Sequence, residues 1–189
     1  MAGADGRAFS EVFLLDLPAD LTRPGAAPLA GTPATRPAPP AGVARCRPTV
    51  TAGGRFPGVG GPRFWPVGPP DGSAVGLYRH ADDGRVRFCT APIAAGGAGD
   101  GVREVTDGTA EPTSAFTWSP DGTRVAFAAD RSVSTCEVPS GRLTRLTARA
   151  DPGPTHHACV WSPDGKRIVY VKPIAGPSGR FDQLFVAYA

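Results

Sequence analysis

Lysine is nearly missing from this chain. Lys166 and Lys172 are the only two among 20 basic residues, and the other eighteen are arginine. The arginines, Arg63, Arg79, Arg87, Arg103, Arg124, Arg145 and Arg167 among them, are strung out between 17 acidic residues, for a net charge of +3. A nucleic-acid protein gathers its positive charge into a footprint, so this pattern argues against that class. No run of large apolar residues exceeds four, as in residues 12–15 and 168–171, which is far short of a membrane span. The first seven residues, Met-Ala-Gly-Ala-Asp-Gly-Arg, lack a basic stretch followed by an apolar one, so no signal peptide is visible. That reading predicts a cytoplasmic protein, or a periplasmic one if the chain is a piece of an exported parent. The four cysteines, Cys46, Cys89, Cys136 and Cys159, match neither a Cys-x-x-Cys metal pattern nor a small disulfide framework. Buried free thiols are expected, and the redox compartment stays open.

Glycine and proline are abundant instead, 25 and 22 of 189 residues. So many backbone breakers exclude long helices. A hydrophobic share of 41% against 20% charged argues against wholesale disorder. A turn-rich β protein is what remains.

The chain repeats. Phe116-Thr117-Trp118-Ser119-Pro120-Asp121-Gly122 is followed by a strand pattern, and Val160-Trp161-Ser162-Pro163-Asp164-Gly165 repeats it. A degenerate copy is Pro69-Pro70-Asp71-Gly72. A Leu-Thr-type stretch (residues 142–147, 102–106 and 46–51) precedes each following copy in phase. Proline presets φ, aspartate caps the corner and glycine accepts φ > 0, so turn physics accounts for this element without any chemistry. Each period of 43 to 50 residues reads as four strands, a to d: a ends at Trp118 or Trp161, and b covers 124–128 or 167–171. Strand c covers 133–138, 86–91 or 183–187, and d is the Leu-Thr stretch. A four-stranded period of this length predicts β-propeller blades, with the tryptophans wedged between neighbouring sheets.

The Trp-Ser-Pro-Asp-Gly copies resemble β-propeller repeats of the TolB type, a WD40-like repeat found also in the propellers of prolyl-oligopeptidase-like peptidases and oligogalacturonate lyases. The resemblance covers residues 43–189 and, more weakly, 10–17. The stretch from Phe56 to Trp65 is similar to a bacterial TolB-like family of unknown function. The resemblance implies an all-β fold of four-stranded antiparallel blades. It predicts residues 1–51 as the end of a first blade (strands c and d) with a Pro/Gly-rich loop over 23–42, and 52–107 as a second blade. Residues 108–148 form a third and 149–189 an incomplete fourth. Three to three and a half blades make an open arc, and a fragment that self-associates through its open blade faces is expected.

In the fold this implies, the d-to-a and b-to-c connections share one face, the usual ligand face, opposite the Pro-Asp-Gly turns. That face is expected to hold Arg63, Arg79, His80, Arg131, His156 and His157, with the carboxylates Asp107, Glu111, Asp130, Asp151 and Asp182. A mixed-charge rim suits a protein, peptide or glycan ligand. Oligogalacturonate lyases hold a divalent metal on channel histidines and a glutamine, so the resemblance offers His80, His156 and His157 as candidate ligands for an ion such as Mn²⁺. The only glutamine, Gln183, falls in a strand. No Gly-x-Ser-x-Gly elbow and no Walker-type loop is present. The glycine cluster over 94–101 reads as a flexible c-to-d hairpin loop. A non-catalytic scaffold is therefore the expectation. A fragment of a metal-dependent propeller enzyme, or of a prolyl-oligopeptidase-like propeller, is the alternative.

Overall fold

The computed structural model describes residue 6 and residues 8–63, 65–93 and 101–189. Residues 94–100 of the glycine cluster, Phe64 and most of the first seven residues lie outside the described part. Among the described residues there is no helix, as the density of glycine and proline predicts.

Strands β1 (Leu14–Asp16) and β2 (Ala44–Cys46) pair antiparallel as a two-stranded sheet. Strands β3 (Ala74–His80), β4 (Val86–Pro92) and β5 (Arg103–Glu104) form the next. Its fourth member is reduced to a bridge, in which Val67 and Gly76 exchange backbone hydrogen bonds of 3.2 and 2.9 Å. The third sheet is complete: β6 (Thr117–Trp118), β7 (Arg124–Ala129), β8 (Ser132–Glu137) and β9 (Leu143–Arg145), hydrogen-bonded in chain order. The last holds β10 (Val160–Trp161), β11 (Arg167–Gly176) and β12 (Gly179–Tyr188). The fold is all-β, with antiparallel sheets of two to four strands in an open arc.

Alternation along the strands shows how the sheets stack. In β7, Val125, Phe127 and Ala129 join Tyr78, Phe88 and Phe116 in one buried cluster, while Ala126 and Ala128 join Cys159, Trp161 and Ile168 in another. In the second sheet, Val75, Leu77, Cys89 and Ala91 face back toward Val12 and Val59. Each central sheet is therefore buried on both faces against its neighbours in the chain, which is what blades do. Burying each Phe, Leu or Val is worth roughly 1.5–3 kcal/mol. Gly76 is required by this packing. A Cβ there would lie 3.0 Å from the Phe116 ring and 3.1 Å from that of Phe88.

Two elements differ from the strand pattern read from sequence. The connection expected over 172–182 is instead the far half of a ten-pair hairpin, closed by a two-residue turn between Gly176 and Gly179. Lys172-Pro173-Ile174-Ala175-Gly176 looks like a loop because of its proline and glycine. Yet Ala189 N donates to Lys166 O, and two-residue periodicity then makes Lys172–Gln183 a hydrogen-bonded pair and Pro173–Asp182 a non-bonded one. Pro173 thus sits where β12 asks for no N–H, so the proline removes no hydrogen bond from that ladder. In the second sheet, β3 runs on through Arg79 and His80 before its turn, which closes with Ala81 N to Arg85 O at 2.9 Å.

Candidate functional site

The repeat turns are built alike. In the third sheet Gly122 N donates to Ser119 O (2.9 Å) with Gly122 at φ +71°, and Asp121 Oδ1 accepts from Thr123 N (3.0 Å) and Ser119 Oγ (2.5 Å). Arg124 N closes the corner on Ser119 Oγ at 2.9 Å. In the fourth, Gly165, Asp164 and Ser162 repeat this set, with Arg167 N on Ser162 Oγ at 3.0 Å. Pro69 replaces the serine in the second sheet, so Asp71 keeps only its bonds from Ser73. The serine hydroxyl, then the backbone N–H, hold Asp121 and Asp164 down at about 2, whereas Asp71, with no serine before it, is lowered first by the backbone N–H and hydroxyl of Ser73. Every polar atom named is used inside the turn. Successive turns also touch: a Cβ on Gly122 would be 3.4 Å from Pro70, and one on Gly165 3.7 Å from Pro120.

The tryptophans link sheet to sheet. Trp118 Nε1 donates to Val67 O at 2.8 Å while its ring meets Phe88 edge-on at 5.9 Å. Trp161 Nε1 reaches Thr117 O at 3.3 Å, under the Arg124 guanidinium at 4.8 Å. Each indole thus donates to the first-strand carbonyl of the sheet before it.

The connections at the opposite ends of the strands carry the other singled-out residues. His80 ends β3 with Nδ1 3.2 Å from Gly84 O and its ring tilted 6.4 Å from Phe56. Arg79 Nε points back to His80 O at 3.5 Å. The rings of His156 and His157 lie 4.6 Å apart, tilted by 38°. Loss of hydration, followed by the neighbouring Arg63 and His157, lowers the His156 pKa, and Asp182 opposes them. Arg63, His156, His157 and Asp182 are therefore one electrostatic neighbourhood. Arg131 forms with Asp130 a two-residue turn in which both have left-handed backbone, φ +58° and +50°. Its carbonyl accepts Ala150 N (3.1 Å), and a Cβ on Gly153 would lie 2.8 Å from Arg131 Cα. Among the described residues no group of three or more His, Cys, Asp or Glu side chains is placed to hold a metal ion. His80, His156 and His157 do not make such a group.

Sequence reasoning missed a recess on this face. A cleft of about 370 Å³ is lined by Arg85, Gly108, Thr109, Ala110, Glu111, Thr113 and Asp130. It joins the turn after β3, the loop after β5 and the β7–β8 turn. Arg85 Nη1 donates to Gly108 O at 3.0 Å, and Glu111 Oε1 accepts Val86 N at 2.8 Å. Asp130 is held low first by the Arg149 side chain, which donates to it, with Arg145 3.1 Å away. The signal was present only in part: Glu111 and Asp130 stand out as loop carboxylates, but nothing in sequence brings Arg85 and Thr109 to them.

No family model matches the chain. It is 32% identical over 160 residues to YidR of Escherichia coli K12, described as an uncharacterized protein; the match covers 82% of this chain and 37% of that one. The chain thus spans little more than a third of that relative's length. A putative TolB from Agrobacterium tumefaciens is 20% identical over 81% of this chain and 48% of its own, with a TM-score of 0.48. TolB from Acinetobacter baumannii is 18% identical over 78% and 35%, with a TM-score of 0.47. By its own sheets, turns and indole links the chain has the fold of β-propeller blades, of the kind its Trp-Ser-Pro-Asp-Gly repeat resembles.

Proposed function

We propose that the chain is a non-catalytic propeller-type scaffold that binds a protein segment, as an extended peptide, on its loop face. The observation that carries this reading is the cleft between Arg85, Glu111 and Asp130, where loops of two neighbouring sheets meet beside a mixed-charge rim. Recesses with a few convergent polar groups between packed modules are ordinary binding sites. The Ser-Pro-Asp-Gly serines are consumed by their turns, which leaves them no role as nucleophiles. The test is selection of a displayed random-peptide library on the purified chain, counter-selected on Glu111→Trp, which fills the cleft from its rim. Peptides enriched on the parent and lost on the variant support the reading. Equal enrichment on both, or none, overturns it.

A further inference from the structure

The excursion over 23–42, between β1 and β2, takes no part in the cleft. It leaves the first sheet at the Asp16–Ala44 pair. Read as the third and fourth strands of a blade, β1 and β2 correspond to β8 and β9. The connection between those two lies beside a Pro-Asp-Gly corner, where Val138 N donates to Thr123 O at 2.9 Å. The excursion therefore belongs to the turn end of the strands, away from the loop face. It is built as two limbs held together. Ala41 N donates to Arg23 O at 2.9 Å and Ala38 N to Pro28 O at 3.3 Å, while Thr32 and Thr35 exchange backbone bonds at the tip. Gly31 fits close against the second limb, where a Cβ would lie 2.8 Å from the Pro37 ring.

The second limb, Arg36-Pro37-Ala38-Pro39-Pro40, has little conformational choice. Its proline rings fix φ at Pro37, Pro39 and Pro40. Arg36, Ala38 and Pro39 each precede a proline, which keeps them in the extended or polyproline II region. Residues 36–39 belong to no strand and no turn. Polyproline II has three residues per turn. Ala38 and Ala41, one such turn apart, are the two that donate to the first limb, and both are half-buried. The other two ridges are Arg36 with Pro39 and Pro37 with Pro40. Of these, Arg36, Pro37 and Pro39 are exposed and Pro40 is half-buried. Charge adds a sign to this surface. From Leu21 to Pro70 the chain has no Asp or Glu, and Arg36 is the only charged residue between Arg23 and Arg45.

We infer that this limb is a docking strip for a protein domain whose groove is lined with aromatic side chains and rimmed with carboxylates. Such grooves take a polyproline II segment by its ridges. The segment is already held in that shape, so binding does not have to order it. The carboxylates of the rim meet Arg36, the lone cation beside the prolines. The partner on this face is distinct from the peptide held in the cleft.

The test is biolayer interferometry of the whole chain against a panel of purified SH3 and WW domains, which carry grooves of this kind. Domains with acidic rims should bind it saturably. Pro37→Ala with Pro39→Ala, and separately Arg36→Glu, should each weaken that binding about tenfold or more. Arg23→Glu makes the same charge change on the first limb and should bind like the parent. All four positions are exposed, and circular dichroism checks that each variant still folds. Binding to no domain of the panel overturns the inference. So does binding that survives loss of the prolines, or that falls equally with Arg23→Glu, which would make it a matter of charge alone. Should the proline variant not fold, a synthetic peptide of residues 34–42 must displace the parent from the bound domain, and its failure to do so counts against the strip.

Discussion

At the residue scale the repeat turns make their own prediction. Asp121 and Asp164 have folded pKa values of about 2, below the ordinary 3.8. A depressed carboxylate stabilises the fold above its unfolded pKa, and that stabilisation is lost as pH falls, here between about 4 and about 2. Urea midpoints measured across that window should drop more steeply for the parent than for Asp121→Asn with Asp164→Asn. Ser119→Ala should flatten part of the same slope, because its hydroxyl is the largest cause of the shift on Asp121. Gly76→Ala acts on packing instead. With two aromatic rings about 3 Å from the new methyl, denaturant unfolding should show a loss of roughly 1–3 kcal/mol, the usual cost of overpacking. Arg131→Gly should go the other way. Its left-handed backbone favours glycine, and its ion pair with Asp151 is 4.0 Å long and exposed. A gain of up to about 1 kcal/mol in the same measurement is expected.

At the element scale, what could be read from sequence and what could not follow from how local the cause is. The corner of the third sheet was legible because Ser119, Asp121 and Gly122 satisfy one another within a few residues. The strands on either side were legible from their alternation. The first strand of the second sheet was not: Gly68 stands where its neighbours have tryptophan, and only the Val67 bridge survives. The β11–β12 extension was hidden because Pro173 reads as a breaker until the pairing shows which side its nitrogen faces. The cleft was hidden for a third reason, since Arg85 and Thr109 meet only when the strands before them are paired. The indoles connect these elements. Trp118→Phe keeps a ring against Phe88 but removes the donor to Val67 O, which anchors that reduced strand. The net loss should be about 0.5–1.5 kcal/mol. Trp161→Phe, whose bond is longer at 3.3 Å, should lose less, and paired urea titrations compare the two.

At the scale of the whole molecule, the chain is a row of modules whose stability comes from shared walls, so each sheet is as secure as the neighbours it touches. The second and third sheets are covered on both sides, with Leu77, Tyr78, Phe88, Val125, Phe127 and Val133 all fully buried. The two-stranded β1–β2 sheet is covered on one side and joined by three residue pairs. Local opening should therefore be graded along the row. Hydrogen exchange followed by mass spectrometry should find the slowest amides in β7 and β8, then β3 and β4, and the fastest paired amides in β1 and β2. The last sheet is the informative case. Its β11–β12 hairpin has ten residue pairs but one uncovered face, so its amides should be protected near the Ile168–Ala187 end and not toward Gly176. Uniform protection along that hairpin would mean that pairing alone secures it, and the wall-sharing account of this chain's stability would have to be abandoned.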